Sequence, residues 1–199
     1  MRPAVVTEPA VTEPPASGPQ PVSLYNIANW LTVARIALVP LVVGGLLAGG
    51  NTWRLIALAA FCVASLTDLL DGKLARSRGL VTDFGKIADP VADKALTGAA
   101  LICLSALGNL PWWVTLVIMV RELGVTALRF WVIRRGVIAA SRGGKVKTLL
   151  QIIAICLYIF PWGNGVMRGV FMAAAVVATV VTGADYLLRA VRLHRGKET

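Results

Sequence analysis

Apolar stretches of about 20 residues, the length needed to cross a bilayer as a helix, recur along the chain with short polar interruptions. They fall near 27–49, 52–74, 87–107, 112–134, 147–164 and 166–188 and predict six helices. The fifth is the shortest. The short connections predict one helical membrane domain over 22–190, an all-α integral membrane protein with six transmembrane helices. Residues 1–21 break the pattern: they hold six of the ten prolines and show no apolar periodicity, which predicts a disordered lead. That lead lacks a basic segment followed by an apolar core, so it does not read as a signal peptide. Residues 191–199 read as a basic tail.

Composition agrees with the pattern: 57% of the 199 residues are hydrophobic and the mean hydropathy is +0.73. The net charge of +10 changes the picture through its placement. Lys73, Arg76, Arg78 and Lys86 flank the second gap, Arg134, Arg135, Arg142, Lys145 and Lys147 the fourth, and Arg189, Arg192, Arg195 and Lys197 the end, whereas the other gaps offer Arg54 and Arg168. That asymmetry predicts a multi-pass cell-membrane protein with both termini and the basic face in the cytoplasm. It also suits anionic membrane lipids and phosphate substrates. No nucleic-acid motif is present. Cys62, Cys103 and Cys156 lie mid-span without metal-ligand or disulfide spacing and read as small hydrophobes. His194, the one histidine, sits in the basic tail, so acid–base chemistry falls to a carboxylate.

Four carboxylates interrupt the apolar sequence. Asp68 and Asp71 are spaced i, i+3, and Asp89 and Asp93 are spaced i, i+4, so each pair shares one face of a helix. An ionisable group at membrane depth costs about 2.5–3.5 kcal/mol even on insertion scales, and usually marks function. Four converging anions repel one another unless cations neutralise them, and carboxylate oxygens suit Mg²⁺, Mn²⁺ or Ca²⁺. The reading is a two-cation site at a membrane surface. Any single aspartate here could instead cap a helix or pair with Lys73, Arg76, Lys86 or Lys94. Gly72 admits a ligand close to the backbone or serves a tight helix contact. Arg76 places a guanidinium where bidentate phosphate contact is its strongest use. Pro90 either starts the third helix or kinks it.

Taken together, the pattern D-x2-D-G-x2-A-R-x8-G-x3-D-x3-D, carried by Asp68, Asp71, Gly72, Ala75, Arg76, Gly85, Asp89 and Asp93, resembles the signature of the CDP-alcohol phosphotransferase family. The resemblance implies a six-helix, CDP-alcohol phosphotransferase-like membrane bundle, usually a homodimer, that displaces CMP from a CDP-linked lipid with an alcohol. It implies that Asp68, Asp71, Asp89 and Asp93 bind two divalent cations, Mg²⁺ or Mn²⁺. Asp93 is then the base that deprotonates the acceptor, and Gly72, Arg76 and Thr82 contact the cytidine diphosphate. Asn29 and Thr32, one turn apart at the start of the first helix, match a segment that touches the nucleotide, although Ala28 stands where the family usually has proline.

Three segments resemble the phosphatidylglycerophosphate synthase branch: Asp83 to Lys94, Arg121 to Arg129, and Gly144 to Gln151. The implied substrates are CDP-diacylglycerol and glycerol-3-phosphate. A phosphate-bearing acceptor needs further cations, for which Arg121 and Lys147 are the first candidates and Arg142 and Lys145 the second. For Arg121 an internal ion pair with Glu122 is the rival. A cardiolipin synthase of the same family, with phosphatidylglycerol as acceptor, is the nearest alternative. A divalent-cation transporter is the alternative of another class; it would spread acidic residues through several helices, whereas here they cluster beside Arg76.

Overall fold

The computed structural model describes the backbone of residues 27–78, 83–133 and 142–195, and the side chains of 30–68, 90–128 and 143–188. The described residues form six helices and no strands: α1 (Ile27–Ala48), α2 (Gly50–Arg78), α3 (Asp83–Ala106), α4 (Trp112–Ile133), α5 (Arg142–Ile159) and α6 (Gly165–Arg195). The lead over 1–21 lies outside them.

Helix number and order match the apolar pattern; the ends do not. The fifth helix spans 142–159 rather than 147–164. Pro161 restricts the residue before it and cannot continue the backbone ladder, so the helix stops short of it. α2 runs on to Arg78 and α6 to Arg195, so the basic residues at those ends belong to the helices rather than to their flanks. Pro90 lies inside α3, so the helix begins before it.

Successive helices alternate in direction, joined at one end of the bundle by the turns at Gly49, 107–111 and 160–164. Gly49 and Gly50 both have positive φ, 70° and 74°, which lets the chain reverse between α1 and α2 without a Cβ clash. At Gly45 a Cβ would lie 2.8 Å from the Trp53 carbonyl oxygen and 3.0 Å from the Ala57 Cβ, so glycine sets the close approach of these two helices. α1 packs chiefly on α2 and α3, and α5 on α6 and α2.

The buried layer holds many small residues, among them Ala57, Ala60, Ala64, Ala100, Ala154 and Ala175, around Phe61, Leu101, Leu104 and Ile118. Large apolar side chains such as Val120, Val166, Val170 and Leu188 face outward. Small residues within and large apolar ones without is the arrangement of helices packed in lipid. By length and composition, Trp30–Ala48 and Gly165–Leu188 can cross a membrane among the described residues. Trp53, Trp112, Trp113 and Trp162 are exposed near the turns, the level where amphipathic rings meet headgroups. At the same end Arg54 donates from Nε to the Ile159 carbonyl (3.0 Å) and from Nη2 to that of Tyr158 (2.6 Å). Arg168 Nη2 donates to the Phe160 carbonyl (2.7 Å). Two guanidinium groups thus satisfy carbonyls that the end of α5 leaves without helical partners.

Candidate active site

All four aspartates sit at the opposite end of the bundle, on the last turns of α2 and the first half of α3. The α2 backbone is helical through Asp68 and Asp71, and the α3 backbone through Asp89 and Asp93, so each pair keeps the same-face spacing read from sequence. Asp68 and Asp93 are partly exposed, at 32% and 27%. Each meets a cation. Arg35 of α1, 1% exposed, brings Nη1 to 2.9 Å from Asp68 Oδ1. Lys94 Nζ lies 2.8 Å from Asp93 Oδ2. The side chains of Asp71, Gly72, Arg76 and Asp89 lie outside the described residues, as does all of Thr82. Among the described residues no three metal-ligating side chains gather. The donor set itself, carboxylates on two helices at one end of the bundle, has the hard-oxygen chemistry that Mg²⁺ and Mn²⁺ require.

A second centre adjoins Asp93. Glu122 on α4 is 3% exposed and is surrounded by cations from three helices. Its Oε2 lies 2.5 Å from Lys94 Nζ of α3. Its Oε1 receives Lys147 Nζ of α5 and Arg121 Nη1 of its own helix at 3.1 Å. Lys94 therefore bridges Asp93 and Glu122, linking this cluster to the aspartate face. Arg121 Nη2 also donates to Thr182 Oγ1 of α6 at 2.8 Å. There Gly183 makes room: a Cβ on it would stand 3.0 Å from Arg121 Cγ. Lys147 is as buried as Glu122, and a buried ionic group persists only where it is paired and hydrogen-bonded.

Asp93, Lys94, Glu122, Lys147 and Gln151 line one narrow cleft. Thr97 and Thr148 lie in the same wall, and their hydroxyls are spent within their helices, on the Asp93 carbonyl (2.7 Å) and the Gly144 carbonyl (3.1 Å). The amide oxygen of Gln151, by contrast, is buried without a hydrogen-bond partner.

Of the cations expected to serve an acceptor, Arg121 and Lys147 come together, both on Glu122. The Arg121–Glu122 ion pair considered as a rival is present. Lys145 is exposed on α5, and the Arg142 side chain lies outside the described residues. Thr32 is buried in the first turns of α1; Asn29 lies in the same helix with its side chain outside the described residues. Lys94, Glu122, Arg35 and Gln151 were not singled out as site residues by sequence reasoning. Their common signal is a polar residue placed in otherwise apolar helix sequence, the same signal that exposed the aspartates. The cysteines are free thiols. Cys103 is buried as expected; Cys62 is exposed, with its Sγ 3.6 Å from Cys156 Sγ.

A helical bundle with an apolar exterior and an ionised centre at one end defines a membrane protein that handles charged ligands. The family model described as CDP-alcohol phosphatidyltransferase matches residues 25–181, and the chain belongs to that family, whose members are generally dependent on divalent cations. The chain is 52% identical over 174 residues, 85% of its length and 83% of the relative's, to a probable phosphatidylglycerophosphate synthase of Mycobacterium tuberculosis. It is 39% identical over 186 residues, 82% of this chain and 94% of the relative, to a CDP-diacylglycerol–glycerol-3-phosphate 3-phosphatidyltransferase of Bacillus subtilis. A Rickettsia felis protein of the same description is 35% identical over 168 residues, 81% of this chain and 93% of the relative.

Proposed function

We propose that this enzyme transfers the phosphatidyl group of CDP-diacylglycerol to glycerol-3-phosphate, giving phosphatidylglycerophosphate and CMP. The observation that carries this reading is the cluster of Lys94, Arg121 and Lys147 about Glu122, set directly beside Asp93. It supplies what an acceptor with its own phosphate requires: cations next to a carboxylate that can take a proton. The relatives' descriptions name the same two substrates.

In this reading Asp68, Asp71, Asp89 and Asp93 hold two Mg²⁺ or Mn²⁺ ions, which when bound neutralise the diphosphate and the departing CMP. Asn29, Thr32, Gly72, Arg76 and Thr82 engage the CDP part. Lys147 and Arg121 turn from Glu122 toward the acceptor phosphate, with Arg142 and Lys145 at the approach. The acceptor's primary hydroxyl gives its proton to Asp93 as its oxygen bonds to the lipid-side phosphorus. The bond from that phosphorus to the CMP phosphate oxygen breaks, and the electron pair leaves with CMP. Partly exposed, Asp93 can release the proton to water. Glu122 keeps the cations in place when no anion is bound, since a buried positive cluster without a counter-charge is costly.

Six membrane crossings, cytoplasmic termini and active site, and a disordered lead over 1–21 belong to the same reading, supported by the concentration of Lys and Arg at the ends that bear the aspartates. So does a homodimer, implied by the family likeness. The test is purified protein with CDP-diacylglycerol and a panel of alcohols, following CMP release. Glycerol-3-phosphate should be the fastest acceptor by at least tenfold; faster release with phosphatidylglycerol would overturn the assignment in favour of cardiolipin synthesis.

A further inference from the structure

Gln151 stands out in the cleft because every other neutral polar side chain described there already has a hydrogen-bond partner. It lies one turn beyond Lys147 on α5, so the two share a helix face. Both line the cleft that holds Asp93 and Lys94. Gln151 is 3% exposed, and its Oε1 is buried with no hydrogen-bond partner. A buried, unsatisfied amide oxygen is costly and uncommon in native structures. Thr97 and Thr148 do not relieve it, since their hydroxyls donate to the Asp93 and Gly144 carbonyls. Nor do Lys94 and Lys147, whose ammonium groups are turned to Asp93 and Glu122.

The surroundings define the chemistry of a ligand that would satisfy it. In the proposed reaction Lys147 and Asp93, which line the same cleft, serve the acceptor's phosphate and its reacting hydroxyl. Between an anionic end and a reacting hydroxyl, an amide oxygen accepts from a further hydroxyl on the same molecule. Glycerol-3-phosphate carries that group on its central carbon, between phosphate and primary hydroxyl. We propose that Gln151 is a specificity-determining residue whose side-chain amide accepts a hydrogen bond from the non-reacting central hydroxyl of the acceptor. The assignment rests on the reading that the cleft binds the acceptor phosphate. It explains why a glutamine stands among ionised groups: an apolar residue there would leave the central hydroxyl unpaired, and a carboxylate would compete with Glu122 for Lys147.

The test compares glycerol-3-phosphate with 3-hydroxypropyl phosphate, which keeps the phosphate and primary hydroxyl at the same separation and lacks the central hydroxyl. Both are assayed with the full-length wild-type enzyme and with Gln151→Met, which keeps length and removes both hydrogen-bonding functions. The readout is the ratio of kcat/KM for the two acceptors, which partial loss of folded protein leaves unchanged. Wild type should prefer glycerol-3-phosphate by about 10- to 100-fold, as expected when a site built around a hydroxyl meets an analogue without it. Gln151→Met should bring the ratio to within about threefold, mainly by slowing glycerol-3-phosphate. A ratio that stays at the wild-type value overturns the proposal, however far total activity falls. Lys147→Ala separates the two levels of the argument. If it raises KM for both acceptors alike while the Gln151→Met ratio is unchanged, the Gln151 assignment fails and the cleft reading stands. If it leaves both KM values unchanged, the cleft reading fails and takes the Gln151 assignment with it.

Discussion

Replacing Glu122 by glutamine removes one negative charge from the centre of three cations while nearly preserving volume. The loss is not shared equally. Lys94 keeps Asp93 at 2.8 Å and Arg121 keeps Thr182 at 2.8 Å. Lys147 is 3% exposed, and Glu122 is the carboxylate it meets in the described structure. Glu122→Gln therefore amounts to stranding one buried cation, for which breaking a buried pair typically costs about 3–5 kcal/mol. Each decade in the folding equilibrium is about 1.4 kcal/mol, so the expected shift exceeds a hundredfold. The assay is reversible unfolding in mixed micelles with rising SDS, followed by the fluorescence of the six tryptophans. The double variant Glu122→Leu with Lys147→Met should recover most of the loss, because apolar replacement of a whole buried pair is often neutral or better. Its acceptor KM should nevertheless stay high, since the cation that meets the phosphate is gone. A Glu122→Gln protein within about 1 kcal/mol of wild type would refute the premise that the cluster is a desolvated ionic centre. A double variant no more stable than Glu122→Gln would refute the assignment of the cost to Lys147.

Three further expectations follow from the geometry. Asp68→Asn, Asp71→Asn and Asp89→Asn should each abolish CMP release, with insertion and SDS unfolding near wild type for Asp71→Asn and Asp89→Asn, whereas Asp68→Asn also weakens the pair with buried Arg35; full activity in EDTA-treated, metal-free protein would sink the divalent-cation reading. Lys147→Ala should raise the glycerol-3-phosphate KM by about one to two orders of magnitude, as loss of a charge-assisted hydrogen bond of about 1.5–3 kcal/mol implies, with the CDP-diacylglycerol KM changed far less; equal weakening of both substrates would point to general electrostatics. Arg54→Ala, at the far end of the bundle, should lower stability by about 1–3 kcal/mol through the exposed carbonyls of Tyr158 and Ile159, and unchanged unfolding in SDS would show that water serves those carbonyls equally well.

The helices were legible because six apolar runs separated by short polar gaps leave few other folds, and lipid tolerates only satisfied backbones. Their ends were less so. Apolar windows shift easily by a turn when charged residues such as Arg142 and Lys145 belong to the helix rather than to its flank. The aspartates were legible because both pairs lie within single helices, where spacing alone fixes the shared face. The cluster about Glu122 draws Lys94 from α3, Arg121 from α4 and Lys147 from α5, and its assembly depends on the rotation and depth of three helices against one another, which no local spacing encodes. Arg121 and Lys147 were read as cations for an acceptor phosphate and Glu122 as a rival partner of Arg121, but not as the partner that both share with Lys94. Gln151 was harder still, since a neutral amide in an apolar helix costs less than a charge. What distinguishes it is an unmet hydrogen bond, a property of its neighbours rather than of its position along the chain. The same physics thus reads the two places differently: where carboxylates share a helix, spacing alone gives their common face, and where polar groups converge from separate helices, only packing reveals which of them are left without a partner.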